Sequence, residues 1–235
     1  MRHGKVIGVI IPALNEADAI GKVLAEIPGW VDHIVVADNG SSDRTPEVAH
    51  DLGASVTREP DGAYGAACLA GIAALPLTDI TVFIDGDYSD YPDQMERLVD
   101  PIASDHFDMV IGSRALGRAE SGSLTPQQKF GNWLACRLIG LLWGARYTDL
   151  GPFRAIGTAA LGKLNMQDRA FGWTVEMQLR AVQEKLRFCE VPVDYRARIG
   201  HSKISGTLRG TILAGHAILG TIFRTALLDR LRRRT

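Results

Sequence analysis

Short apolar runs alternate with stretches of helical period through the first 115 residues of the chain. Val6–Ile11 is a β-branched run that stops at Pro12, and His33–Ala37, Ala54–Arg58, Ile80–Ile84 and Met109–Ile111 repeat the pattern as further strands. Between them lie Ala17–Ile27, with Ile20, Val23, Leu24 and Ile27 at helical spacing, and Thr45–Leu52, entered through Ser41, Ser42 and Asp43. Ala-rich Gly65–Leu75 and Pro92–Ile102 complete the helical set. Continuous apolar strands separated by such helices predict βαβ units and a mostly parallel sheet, with ligands at the carboxyl ends of the strands.

After about residue 116 the pattern changes. Arg118–Gln128 reads as a polar loop, Phe130–Trp143 as an apolar helix carrying Trp133 and Trp143, Val175–Lys185 as a helix and Arg187–Val193 as a strand. Thr207–Leu231 reads as a long amphipathic helix. The expected organisation is one domain whose first part is residues 1–115 and whose second part is 116–206, followed by a basic helix over 207–235.

Composition narrows the class. With 46% hydrophobic and 23% charged residues in 235, the chain is globular rather than disordered. Cys68, Cys136 and Cys189 are odd in number, far apart and in no CxxC pair, which excludes a disulfide scaffold. The net charge of −1 hides an asymmetry: from Arg198 onward there are eight basic residues and one acid, so that tail carries +7 and residues 1–197 carry −8. Within the tail, Gly210–Phe223 is only 14 residues long, too short for a span of about 20. Leu208, Ile212, Leu219, Ile222, Phe223 and Leu227 beside Arg209, Arg224 and Arg230 instead predict a helix lying on an anionic membrane surface, or packed on the domain or a second subunit. MRHGKVIGVIIPALNE has no signal-peptide core, so a cytoplasmic protein is expected, peripheral at the inner membrane face. The six histidines show no zinc-ligand spacing, and no G-x-S-x-G, Walker A loop or nucleic-acid module occurs.

The polar clusters fall at predicted strand ends: Asn15-Glu16, Asp38-Asn39, Arg58-Glu59 and Asp85-Gly86-Asp87. Two carboxylates at i and i+2 after a buried strand can converge on one point once the chain turns, and Gly86 is suited to that turn. Such hard oxygen ligands suit Mg²⁺ or Mn²⁺ bridging phosphate oxygens. A DxD also serves as turn or capping acids in surface loops; its place among other polar strand ends favours the metal.

Val9-Ile-Ile-Pro-Ala-Leu-Asn15-Glu16, Ile34-Val-Val-Ala-Asp38-Asn-Gly-Ser-Ser-Asp43-Arg-Thr45, Phe83-Ile-Asp85-Gly-Asp87 and Gly112-Ser-Arg114 occur in this order. Together they resemble glycosyltransferase family 2, whose members have the GT-A fold, a Rossmann-like α/β architecture. Thr148-Asp149-Leu-Gly-Pro-Phe153-Arg154, Gly172-Trp-Thr-Val-Glu176-Met-Gln and Arg198-Ile-Gly-His-Ser202-Lys203-Ile-Ser-Gly look like its dolichyl-phosphate mannose synthase and polyprenyl-phosphate glucosyltransferase branch. The resemblance covers roughly residues 5–225. It implies that Pro12, Asn15 and Glu16 line the nucleotide pocket, that Asp38 meets the base or ribose, and that Arg58, Gly62 and Gly65 belong to a glycine-containing loop beside the nucleotide. It assigns Asp85, Gly86 and Asp87 to the metal and diphosphate, and Arg114, Arg198, Ser202 and Lys203 to the acceptor phosphate or donor diphosphate. Two positions depart from the pattern: Asn39 replaces a second acid, and Ser89 stands where mannose synthases carry Gln. The donor expectation is therefore UDP-glucose ahead of GDP-mannose.

The implied reaction is an inverting, metal-dependent hexosyl transfer to a polyprenyl phosphate. A lipid phosphate is largely ionised at neutral pH and needs cations rather than a strong base, with Asp87 and Arg114 acting on the departing diphosphate. A hydroxyl acceptor, such as a glycerolipid or soluble metabolite, would require a base, for which Glu176 is the candidate. A sugar-phosphate nucleotidyltransferase is the rival of another reaction class. Relatives in the branch often carry appended membrane helices, so a membrane-anchoring partner or a homo-oligomer is a further expectation.

Overall fold

In the computed structural model, which describes residues 1–60, 63–200 and 208–232, the chain runs β1 (Ile7–Ala13), α1 (Ala17–Glu26), β2 (His33–Asp38), α2 (Thr45–Asp51), β3 (Ser55–Arg58), α3 (Tyr64–Ala74) and β4 (Ile80–Phe83). A 3₁₀ turn (Pro92–Met95), α4 (Glu96–Ala103), β5 (Met109–Ser113), α5 (Pro126–Trp143), β6 (Arg154–Gly157), α6 (Thr158–Leu164), α7 (Trp173–Gln183), β7 (Phe188–Pro192) and α8 (Leu208–Arg232) follow. The strands form one sheet in the order β3-β2-β1-β4-β6-β5-β7. Six of them point the same way; β6 alone is reversed, antiparallel to both β4 and β5.

Alternation along β1 divides the core. Ile7, Val9 and Ile11 face a layer with Ile20 and Val23 of α1, Ala49 of α2 and Leu98 and Val99 of α4. Ile10 faces the other layer, with Cys68 of α3, Cys136 and Ile139 of α5, Leu161 of α6, Trp173 of α7 and Ile222 of α8. α3 lies close on the sheet because Gly71 sits over Ile10: a Cβ there would come within 2.4 Å of the Ile10 Cγ2.

Pro12 does not end β1, as the apolar run predicts; it ends one side of its ladder. The Ile10 carbonyl accepts from Ile84 N and the Ala13 carbonyl from Asn39 N, so alternate residues serve β4 and β2, and Pro12 faces β4. Having no N–H, it gives no further bond there. The chain after β4 is thus released from β1 where Asp85-Gly86-Asp87 begins. β1 and β4 are also the point where the strand order reverses, the position at which open α/β sheets bind ligands.

Other elements differ from the expected ones in detail. The helix expected over Pro92–Ile102 is a 3₁₀ turn followed by α4, with Pro101 inside α4. α5 begins four residues before Phe130, through a capping box in which Thr125 accepts from Gln128 N and Gln128 returns a side-chain acceptor to Thr125 N. α8 packs Ile222 into the second layer, while the Trp143 indole and the Gln183 amide both donate to Asp229, each at 2.8 Å. Among the described residues no helix is long and apolar enough to cross a membrane.

Candidate active site

The acidic turn follows β4 directly. Asp85 is half-buried and accepts from the Tyr64 hydroxyl, at the start of α3, at 2.9 Å. Burial and then the neighbouring Asp87 charge push its carboxyl up to about 7, against the pull of Tyr64, Arg198 and Arg114. Asp87 accepts from Ser89 N (3.0 Å) and from the Ser89 hydroxyl, and its other oxygen lies 3.1 Å from Nη1 of Arg198. The left-handed residue of this turn is not Gly86 but Tyr88, at φ 65°. Gly86 serves instead as a close approach to β1, since a Cβ there would stand 3.2 Å from that of Ala13. Asp90 ends the turn 1% exposed, and neither of its carboxylate oxygens has a hydrogen-bond partner. Burial, with Asp85 and Asp87, holds its carboxyl well above the usual range, against Arg114.

The facing wall comes from β1 and β2. Asn15 takes φ 53°, which its short polar side chain tolerates, and the loop is stapled across to the start of α2. Asn15 N donates to the Ser41 hydroxyl (2.8 Å), Ser42 N to Asn15 Oδ1 (2.8 Å) and Glu16 N to the Thr45 hydroxyl (2.7 Å). Glu16 is thereby presented to Nη2 of Arg198 at 2.8 Å. Asp38, buried at the end of β2, accepts from Ser41 N and lies 3.9 Å from the Arg58 guanidinium. Beside it Asn39 is buried, with its Oδ1 unpartnered.

Arg114, at the end of β5, is gripped by Asp149: Nε and Nη2 donate to the two carboxylate oxygens at 2.8 and 2.7 Å, and the Arg114 backbone N adds a third bond. Although burial pulls downward, Asp149 keeps the guanidinium firmly charged. Its Cζ also lies 5.0 Å from the centroid of the Tyr195 ring. Asp85, Asp87, Glu16 and Arg198 are therefore in one constellation, with Arg114 and Asp90 beside it and Asp38, Asn39 and Arg58 at the next strand ends. Gly62, Ser202 and Lys203 lie outside the described residues.

Comparison with known proteins bears directly on this arrangement. The glycosyl transferase family 2 profile matches residues 8–162. A glycosyltransferase of Mycobacterium tuberculosis, itself uncharacterised, is 35% identical over 90% of this chain and 95% of its own. The chain belongs to glycosyl transferase family 2. A Haloferax volcanii relative named dolichyl-phosphate hexose transferase is 32% identical over 96% of both chains. Among solved structures, the glucosyl-3-phosphoglycerate synthase of M. tuberculosis in complex with Mn²⁺, UDP-glucose and phosphoglyceric acid superposes with a TM-score of 0.77 at 23% identity, covering 95% of this chain and 80% of that one. Mannosyl-3-phosphoglycerate synthase of Rubrobacter xylanophilus gives 0.77 at 19% identity, over 98% and 75%. The fold is GT-A, and this family 2 chain is a glycosyltransferase.

The matched region of the family 2 profile stops short of α7, where Glu176 lies. The Glu176 carboxylate accepts from Gln167 N and Asp168 N and pairs with the Arg180 guanidinium at 2.8 Å. It lines a cleft of about 440 Å³ between α7 and α8, with Asp168, Arg180 and Arg224 among its walls. The turn it holds reaches α3, because Gly65 N and Ala66 N donate to the carbonyls of Ala170 and Arg169. Gly65 is a contact glycine: a Cβ would meet the Asp168 carbonyl at 2.2 Å. Glu176 and Gly65 thus share a framework that ends at Tyr64 and Asp85.

Sequence reasoning did not single out Tyr64, Asp90, Asp149 as the partner of Arg114, or Arg196. Asp149 lies within the quoted Thr148–Arg154 motif, and Arg196 stands two residues before Arg198; Tyr64 and Asp90 carry no signal until the tertiary structure joins them to the acidic turn.

Proposed function

We propose that this family 2 enzyme transfers a hexose, with inversion, from a nucleotide sugar to a polyprenyl phosphate. The observation that carries the reading is the pairing of Asp87 with Arg198 beside the raised carboxyl of Asp85, at the carboxyl ends of β1 and β4. The name of the Haloferax relative supports the lipid-phosphate acceptor.

The residues present suit a divalent cation. Asp85 and Asp87 are crowded carboxylates whose mutual repulsion a dication relieves, and Asp90 adds a buried carboxylate without hydrogen bonds. Among the described residues no group of three or more His, Cys, Asp or Glu is placed to hold a metal alone. Two protein carboxylates with the remaining oxygens from diphosphate and water is the arrangement Mg²⁺ favours, and Mn²⁺ takes the same donors. Bound there, the cation would neutralise the departing diphosphate.

The chain's own residues do the rest. Arg198 supplies positive charge for phosphate oxygens, and Lys203 and Ser202 follow it in sequence. Arg114, locked by Asp149, contributes field more than a movable contact. The acceptor phosphate is already ionised, so no side chain need take its proton. The engagement of Glu176 with two backbone N–H groups and Arg180 favours this over a hydroxyl acceptor that uses Glu176 as base. UDP-glucose is the first donor proposed, GDP-mannose the second, and the site of action is the cytoplasmic membrane face.

Release of nucleoside diphosphate tests the reading. With Mn²⁺ or Mg²⁺, turnover is expected only when UDP-glucose or GDP-mannose is supplied together with a polyprenyl phosphate, and Asp87→Ala should lower it by at least about 100-fold. Glu176→Gln should leave turnover within about tenfold, whereas a general base would lose 10²–10⁴-fold. Release that ignores the lipid would overturn the acceptor assignment.

A further inference from the structure

One cluster next to the carboxylate pair holds neither the metal nor the phosphates proposed for the site. The Arg196 guanidinium lies between two aromatic rings, 3.3 Å from the Tyr88 centroid and 4.2 Å from that of Tyr91. Its Nε donates to the Tyr88 carbonyl (2.7 Å), and Nη2 donates to Glu26 Oε2 (2.6 Å) and to the Asp90 carbonyl (3.1 Å). The Tyr88 hydroxyl also donates to Glu26, which closes the group on α1. The backbone continues the attachment: Arg196 N donates to the Ser89 carbonyl at 2.9 Å and Ile199 N to the Asp87 carbonyl at 3.0 Å, and Asp90 bridges Tyr195. The segment 195–199 is thereby laid along the acidic turn.

We propose that Arg196 is a positioning residue, which latches this segment to the acidic turn and so fixes where Arg198 stands. The proposal rests on the reading of Arg198 as a phosphate-binding cation. The two arginines differ in which of their contacts survive ligand arrival. Arg198 pairs with Glu16 and Asp87, and its Nε is buried without an acceptor. Asp87 is also the carboxylate proposed for the metal, so that ion pair is exchangeable: when a cation and a diphosphate enter, it is the one given up. The contacts of Arg196 are of another kind. Its acceptors are Glu26 on α1 and two backbone carbonyls, and its faces are covered by rings, none of which the proposed ligands displace. Against the upward pull of burial, Arg196 and Tyr88 hold the Glu26 carboxyl below its usual range, in keeping with a pair that stays charged. The latch also accounts for Tyr88, an aromatic residue at φ 65°, a conformation that persists where its surroundings hold it. Lysine cannot take this part, because the site uses a planar cation with two faces and a fork of donors.

Affinity for UDP, or for GDP if that binds the wild type more tightly, is measured by calorimetry in saturating Mn²⁺ for Arg198→Ala, Arg196→Ala, Arg196→Lys and the double alanine variant, each with its melting temperature. Arg198→Ala is expected to weaken binding about tenfold, and both Arg196 variants about fivefold. The decisive result is the double variant, expected within about twofold of Arg198→Ala, since a latch has no effect once the group it places is gone. A double variant weakened by the product of the two single effects, or an Arg196→Ala protein that binds like wild type, overturns the latch while leaving the phosphate-binding reading intact. An unaltered Arg198→Ala protein overturns both. Should Arg196→Ala fail to fold, Tyr91→Ala, which removes one ring and no charge, is expected to weaken binding only when Arg198 is present; equal weakening in its absence overturns the latch.

Discussion

Asp85 is the residue on which the chemistry of the site and its stability meet. Its carboxyl, raised from the ordinary value to about 7 by burial and by Asp87, holds in the folded protein a proton that the unfolded chain releases near pH 4. Between those values the folded state binds more protons, so this group's contribution to stability falls as pH rises, and the loss is complete above about pH 7. The metal-free protein should therefore melt lower at pH 8 than at pH 5.5, and Asp85→Asn should shrink that difference. Thermal melts of both proteins at the two pH values check this, and an unchanged difference in the variant counts against it. Arg114 presents the opposite balance. Its charge is never in question, but its position depends on Asp149, and Asp149→Ala would leave a largely buried guanidinium unpaired. The expected loss is about 3–5 kcal/mol in chemical denaturation. Much of this was legible in the sequence: the Asp85–Asp87 pair, Glu16 and Arg198 stand together because each lies on a recognisable motif at a strand or segment end. Asp90 was not, because a carboxylate three residues past a DxD looks like an exposed acid until the fold buries it.

At the scale of elements, the strands with uninterrupted β-branched runs, β1, β2 and β4, can be read directly, and the helices between them follow from period. β6 cannot: Arg154-Ala-Ile-Gly begins with a charge, and only burial of the Arg154 guanidinium against the carbonyls of Leu150, Gly151 and Thr174 makes the segment an interior strand. The start of α5 is the opposite case. Thr125-Pro126-Gln127-Gln128 is a capping box with proline at the first helical position, a local signal obscured by the polar composition around it. α3 shows packing outweighing propensity. Gly71→Ala should gain roughly 1 kcal/mol of helix propensity, yet the new methyl would press on Ile10, a stiff side chain in a fully buried strand. Overpacking of this kind costs about 1–3 kcal/mol, so a net loss is expected in urea unfolding; a stabilised variant would show that α3 can move off the sheet.

For the whole molecule, the two helices that cover the second core layer also show apolar side chains to solvent. Phe130, Trp133 and Leu141 on α5 and Phe223, Leu227 and Leu231 on α8 are each more than half exposed. Arg137, Arg224 and Arg230 are exposed on the same helices, and the chain from Arg198 onward carries +7. This combination fits adsorption to an anionic bilayer, where the proposed acceptor resides. Co-sedimentation with vesicles containing anionic lipid should therefore be strong at low salt and weak at high salt, and Trp133→Ala with Phe223→Ala should weaken it at least about tenfold. Failure to bind such vesicles at low salt would confine the protein to soluble acceptors or to an anchoring partner. The reversed strand β6 carries a consequence for how the enzyme is assembled. β1, β2 and β3 pair with neighbours in sequence, but Ile7 of β1 must find Ile80 of β4, and Phe83 of β4 must find Arg154 of β6, each across a long excursion of the chain. Asp85 and Asp87 follow the strand that both long closures share, and Arg114, Asp149 and Arg198 come from chain beyond it. The strand at which these closures meet is thus the one beside which the sugar nucleotide would lie, and a nascent chain halted before β6 holds Glu16 and Asp87 without Arg198, the cation that pairs with both.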